Sequence, residues 1–131
     1  MASLSPRSLE KLSLVDIRLQ EIVMKAIEVM DFSVIEGHRD YVKQEKMFAD
    51  GHSHLRWPDS KHNQLPSKAV DLAPYPIDWA DTERFVLLAG ERKHDASQRG
   101  IELRWGGDWD RDGRMSDESF RDYVHFEIVE D

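Results

Sequence analysis

The chain has 131 residues, no cysteine, 34% charged residues and a formal net charge of −8 at pH 7. That length suits one domain with a real apolar core, and the lack of thiols removes disulfides, thiolate metal ligands and cysteine nucleophiles together. The acidic balance argues against nucleic acid or an anionic membrane surface as main partner, and Met1 to Leu14 carries no apolar run, so neither a signal peptide nor stable membrane insertion is expected.

In chain order, Ser5-Pro6 reads as a helix start, serine as cap and proline in the first turn. Leu12, Val15, Leu19, Ile22, Val23, Ala26 and Met30 follow at helical spacing, which predicts one long scaffold helix. A strand over about Phe32 to Glu36 ends at Gly37, and a helix from about Asp40 to Asp50 is stopped by Gly51. Arg39 lies at their junction. His52 and His54 would share a face if they lay on a strand, but the following Trp57-Pro58-Asp59 favours a solvated loop.

Between Ser60 and Leu72, Pro66 and the Asn63-Gln64 pair oppose a continuous helix, which puts His62 on a loop. Lys61 and Lys68 are expected to face solvent. Ala69-Val70-Asp71-Leu72 alternates, so Val70 and Leu72 face a core and Asp71 the opposite side. Pro74-Tyr75-Pro76 ends that strand and exposes Tyr75 near the same side. Ile77-Asp78-Trp79 opens a long helix capped by Asp78 or Asp81 and stopped at Gly100, with Gly90 as its weak point. Ile101, Leu103 and Trp105 alternate as a strand. Asp108, Asp110 and Asp112 with Gly113 have the opening spacing of an EF-hand calcium loop, but position twelve is Ser119 and Glu118 falls one residue early. The competing reading is an acidic surface turn. The last strand places Val124, Phe126 and Ile128 on one face and Tyr123, His125 and Glu127 on the other.

If the two strands are near neighbours, Asp71 and His125 project the same way and the His62 loop closes over them. Two histidines and a carboxylate, with a fourth position left for water, are the ligand pattern of a catalytic zinc. Taken singly, each of these residues reads as an ordinary surface acid or histidine.

Ser60-x-His62, Ala69-x-Asp71 and Asp122-x-x-His125-Phe126 together resemble the zinc peptidases grouped with D-alanyl-D-alanine carboxypeptidases. They are most similar to the phage branch, the L-alanyl-D-glutamate peptidases that serve as endolysins. Glu36-Gly37-His38-Arg39 with Gln44, Phe48 and Gly51 extends the resemblance upstream; Leu65-Pro66-Ser67 makes the His62 to Asp71 interval two residues longer than the family's shorter motif.

The resemblance implies an α+β fold, a small antiparallel sheet flanked by helices of the Hedgehog/D-Ala-D-Ala peptidase type, forming one zinc peptidase domain over residues 1–131. It implies zinc on His62, Asp71 and His125, and Asp122 as the catalytic carboxylate in a turn just before the last strand. Arg39 would bind a substrate carboxylate or carbonyl or support the oxyanion, against the alternative of a salt bridge to a surface acid. Ser60 would bond a ligand or the substrate, and Tyr75 would lie near it. Calcium on Asp108, Asp110 and Asp112 would order the rim.

The implied activity is zinc-dependent hydrolysis of the L-alanyl-D-glutamate bond in the stem peptide of bacterial peptidoglycan. The alternatives are a D,D- or L,D-carboxypeptidase and a non-catalytic zinc-stabilised binding domain. Such an endolysin is expected to act as a monomer, to be made in the cytoplasm of an infected host cell, and to reach the periplasmic wall after release by another protein.

Overall fold

The structure is a computed structural model and describes residues 4–28, 30–109, 111 and 122–130. The single N-terminal helix expected from the spacing is instead two, α1 (Pro6–Leu12) and α2 (Ile17–Ala26). Ser5 caps the first by accepting the Ser8 N–H at 3.1 Å. Asp16 caps the second by accepting the Arg18 N–H at 2.9 Å. The break is occupied: Ser67 N–H donates to the Leu14 carbonyl at 2.8 Å and Asp16 N–H to the Ser67 carbonyl at 2.9 Å. Leu12, Val15 and Leu19 all stay buried, so the apolar spacing reported the core face correctly while the helix itself was interrupted.

The remaining elements are β1 (Phe32–Glu36), α3 (Tyr41–Ala49), a 3-10 turn (Lys61–Asn63), β2 (Ala69–Pro74), α4 (Thr82–Gln98), β3 (Leu103–Gly106) and β4 (Asp122–Ile128). Asp40, expected as the start of α3, is its cap, accepting the Lys43 N–H, and Gly51 beyond its end takes φ +77°, a conformation in which glycine has no Cβ penalty. Helix α4 runs through Gly90 without interruption.

The four strands form one antiparallel sheet in the order β1-β2-β4-β3. Val34, Val70, Leu72, Leu103, Trp105, Phe126 and Ile128 turn one face onto apolar side chains of α1, α2 and α4. Asp71, Arg104, His125 and Glu127 alternate with these and face the other way. This is the α+β architecture expected, a small antiparallel sheet flanked by helices: α1, α2 and α4 cover the apolar face, while α3 borders the polar one, where Gln44 accepts from Arg39.

Two register shifts depart from simple alternation, and both border the polar face. In β1 the pairing passes from Val34↔Leu72 to Glu36↔Asp71, which brings Glu36 beside the acid. Between β3 and β4 it passes from Trp105↔Phe126 to Gly106↔Asp122. Such bulges re-aim side chains. Upstream of the second one the phase of β4 inverts, so Tyr123 packs against the core and Asp122 and Val124 line the same cavity as His125. Tyr123 therefore lies on the face opposite to that expected. Asp122 is the first residue of β4 rather than part of a preceding turn.

Candidate metal centre

His62 is held on the 3-10 turn, not on an open loop, by a set of short-range polar contacts. Ser60 Oγ accepts the His62 N–H at 3.2 Å, and the Ser60 N–H donates to Asn63 Oδ1 at 3.1 Å, a reciprocal capping of the start of the turn. Asn63 Nδ2 in turn donates to the Arg39 carbonyl at 3.0 Å and to Gln44 Oε1 at 3.1 Å. The Arg39 N–H donates to the His62 carbonyl at 2.8 Å. His62 Nδ1 lies 2.8 Å from the Gly37 carbonyl. A side chain at Gly37 would run into the Lys11 carbonyl, so the close approach of β1 to α1 needs glycine there.

Asp71 comes from β2 and His125 from β4, directly opposite each other in the ladder. His62 Nε2 lies 3.1 Å from Asp71 Oδ1 and 3.2 Å from His125 Nδ1, and the last two atoms are 3.3 Å apart. All three residues are buried. A carbonyl can only accept, so Gly37 fixes the proton of neutral His62 on Nδ1 and leaves an Nε2 lone pair pointing inward. Glu127 Oε1, 2.8 Å from His125 Nε2, does the same for His125. Three acceptors thus converge, which calls for a cation.

Tetrahedral zinc with bonds of about 2.0–2.1 Å sets its donor atoms about 3.3–3.4 Å apart, close to the spacing found. The residues therefore fit the metal. Among the described residues, His62, Asp71 and His125 are the group of ligand-type side chains near enough to share one ion.

The same convergence shapes the titration of the site. Burial opposes a charge on His125, but hydrogen bonds to Asp71 and Glu127 outweigh it and push the imidazole up to about 9. Burial likewise opposes ionisation of Asp71, yet its contacts with His62 and His125 hold its carboxyl far below the usual carboxylate range whenever a proton, and not a metal, sits among the three. Asp122 shifts the other way: burial, and then repulsion from Asp71, raise it above its ordinary value.

The sequence matches the family described as phage L-alanyl-D-glutamate peptidase over residues 1–129. It is 34% identical over 128 residues to the L-alanyl-D-glutamate peptidase of Escherichia phage T5, an alignment covering 92% of this chain and 93% of that protein. The chain belongs to the phage L-alanyl-D-glutamate peptidase family. Among solved structures it is similar to the L-Ala D-Glu endopeptidase ChiX of Serratia marcescens, with a TM-score of 0.76 and 27% identity over 98% of this chain and 91% of that one.

In this family member the centre opens into a cavity of about 560 Å³ whose lining includes Arg39, Ser60, Arg104, Trp109, Asp122 and Glu127. Arg39 lies there, but its fork is engaged: Nη1 donates to Gln44 Oε1 at 2.9 Å, Nε reaches Glu36 Oε2 at 3.4 Å, and Nη2 stands 3.9 Å from Asp71 Oδ2. Its acids are buried rather than on the surface. Ser60 is committed to capping. Tyr75 is exposed and lies beyond the end of β2, apart from the cavity lining. His52 and His54 are exposed, as a solvated loop requires, yet both lie at the cavity rim.

Lys61 and Lys68 do not simply face solvent. Lys61 Nζ donates to the Ile128 carbonyl and Lys68 Nζ to Asp16 Oδ2, both at 2.6 Å. Asp110 and Asp112 lie outside the described residues, so the expected calcium loop is represented by Asp108, which is buried just past β3, and calcium gains no support. Sequence reasoning missed Trp109, whose ring centroid lies 5.3 Å from that of His125, because the loop pattern around it drew attention to its acids. It also missed Asn63, whose only signal was its place three residues after a capping serine.

Proposed function

We propose that the protein is a zinc-dependent peptidoglycan endopeptidase, an endolysin with one catalytic domain over residues 1–131, that hydrolyses the L-alanyl-D-glutamate bond of the stem peptide. The observation that carries this reading is the convergence of His62, Asp71 and His125 at 3.1–3.3 Å inside a cavity that Asp122 also lines. A purely structural metal needs no further carboxylate lining the cavity beside it. The names of the phage T5 and Serratia relatives support the choice of bond.

His62, Asp71 and His125 would hold the metal, with Gly37 and Glu127 fixing the ring orientations. When bound, zinc supplies Lewis acidity, bringing the pKa of a water from 15.7 to about 7 and polarising the scissile carbonyl. Asp122 takes the proton of the attacking water and returns one to the leaving nitrogen; its raised proton affinity suits both steps. Arg39 acts through Asp71, whose carboxylate it steadies together with the Glu36 and Gln44 contacts. Burial of His62, Asp71, Arg39 and His125 strengthens the interactions among them.

The wall is the proposed site of action, reached from the host cytoplasm after release, and the acting species is a monomer. Among the described residues no helix is long and apolar enough to cross a membrane. Mass spectrometry of purified peptidoglycan digested by the zinc-loaded protein tests the reading. New N-terminal D-glutamate is expected; released free D-alanine would make the protein a carboxypeptidase, and an intact wall would leave a binding domain.

A further inference from the structure

The cavity is rich in acids, with Asp59, Asp71, Asp122 and Glu127 all in its lining. The cations beside them differ in what they are already doing. Arg39 is 6% exposed at its side chain and spent on Gln44, Glu36 and Asp71. Lys61 directs its ammonium to the Ile128 carbonyl at 2.6 Å. Arg104 is different. It stands between Leu103 and Trp105, which face the core, so β3 aims it at the cavity, directly across from Glu127.

Among the described residues, the ionic contact of its guanidinium is Nη1 to Glu127 Oε2 at 3.5 Å, too long for a strong charge-assisted hydrogen bond. Its Nε is buried and has no hydrogen-bond partner among the described residues, and the side chain remains 31% exposed. An unmatched buried donor on a cation costs stability unless something completes it. Glu127 also accepts from His125, so a single carboxylate separates this cation from a candidate metal ligand.

We infer that Arg104 is a specificity residue that recognises the free α-carboxylate of the D-glutamyl residue on the leaving side of the scissile bond. The inference rests on the endopeptidase reading. In a stem peptide that residue continues the chain through its side-chain carboxyl, which leaves the α-carboxylate one carbon from the scissile nitrogen. An anion so placed must enter among four acids, and the planar fork of an arginine matches a carboxylate with two parallel donors. The enzyme so equipped prefers stem peptides with free D-glutamate over those in which that carboxyl is amidated to D-isoglutamine, because the amide carries no charge to pair.

The test compares two purified stem peptides, identical except for D-glutamate or D-isoglutamine at this position, with zinc-loaded wild type, Arg104→Gln and Arg104→Lys. Wild type is expected to cleave the glutamate form with the higher kcat/KM, by about 10- to 100-fold, the worth of a charge-assisted pair. Arg104→Gln should lose that factor on the glutamate form and change the isoglutamine form by no more than about threefold, so the amidated peptide also serves as the check on folding. Arg104→Lys should keep part of the preference. Dissociation constants of both uncleaved peptides, measured on Asp122→Asn with and without Arg104→Gln, should show the same selective loss.

Equal rates on the two peptides in wild type, or an equal loss on both in Arg104→Gln, would overturn the inference while leaving the endopeptidase standing. Cleavage at a different bond, read from product masses, would overturn the endopeptidase reading and this inference together.

Discussion

His62 Nε2 and His125 Nδ1 stand 3.2 Å apart, and each ring directs its other nitrogen to an acceptor at 2.8 Å, the Gly37 carbonyl and Glu127 Oε1. Two neutral rings so oriented oppose lone pairs across a hydrogen-bond distance, an arrangement stable only around a proton or a metal ion. Zinc binding is therefore expected to need His62, Asp71 and His125 together. His62→Ala or His125→Ala should lose most bound zinc and all hydrolysis, whereas a His52→Ala, His54→Ala double variant should retain the metal. Zinc per chain after dialysis, by atomic absorption, checks this; an unchanged content in His125→Ala would remove it from the ligand set.

Glu127 would reach a bound metal through His125, and its own carboxyl is depressed by that contact: burial raises it, but the His125 hydrogen bond and the charges of His125, Lys61 and Arg104 prevail. Removing such a brace typically costs 10- to 100-fold in metal affinity. Glu127→Ala should fall in about that range in a chelator-competition titration. Glu127→Gln, which keeps an acceptor for the His125 N–H, should fall less.

Gly37 couples the fold to the centre, since its carbonyl orients His62 while a Cβ at its Cα would strike the Lys11 carbonyl. Gly37→Ala should destabilise by about 1–3 kcal/mol, as overpacking does, and should weaken zinc binding as well. Gly90→Ala is the contrast: a Cβ there meets nothing within 4 Å, and in the middle of α4 it should add about 0.5–1 kcal/mol. Urea unfolding of the two variants with and without zinc separates the effects. Equal stability of Gly37→Ala and wild type would show that the β1–α1 approach is softer than its geometry requires.

Asp16 fastens α2 to the start of β2 through Arg18 at 3.0 Å and Lys68 at 2.6 Å. The Arg18 hydrogen bond outweighs burial, and with Lys68 holds the Asp16 carboxyl well below the usual carboxylate range. A depressed carboxyl stabilises the fold fully above its unfolded value, about 3.9, and loses that contribution as pH falls toward its folded value. Asp16→Asn should therefore be less stable than wild type by about 1–3 kcal/mol at pH 7, and the gap should narrow below about pH 4. A gap that stays constant into acid would mean the carboxylate charge is not what fastens these elements.

Much of this was legible because alternation and capping are local. Val70, Leu72, Phe126 and Ile128 read directly as core, and that alone put Asp71 and His125 on one face. Asp40 and Gly51 bounded α3 correctly. What stayed hidden depends on distant partners. The break after Leu12 exists because Ser67, far along the chain, pairs with the 14–16 segment, and helical spacing cannot register a missing turn when the same face remains buried. The capped turn under His62 was obscured by Pro66, which forbids a long helix but not one turn ahead of it. Arg39 was visible as a junction residue, but the buried Glu36 that claims it is delivered by a bulge, and a bulge leaves no mark in the alternation pattern.

Asp122 is where the bulge decides the chemistry. Three residues from His125 on a straight strand, it would point into the core; the register shift opposite Trp105 and Gly106 inverts the strand's phase and returns it to the cavity. If it serves as general base and not as a ligand, Asp122→Asn should keep both zinc and fold, since asparagine is nearly isosteric and the three ligand side chains are untouched. Hydrolysis should drop by about 10²-fold or more, within the usual 10²–10⁴ contribution of a positioned base. Zinc content and kcat on the same preparation measure the two effects separately. Loss of zinc with activity would recast Asp122 as a brace or ligand of the metal. Full activity with zinc bound would move the base elsewhere, and Glu127 is then disfavoured: its carboxylate is held low by His125, Lys61 and Arg104, whereas the proton affinity of Asp122 is raised by burial and by Asp71.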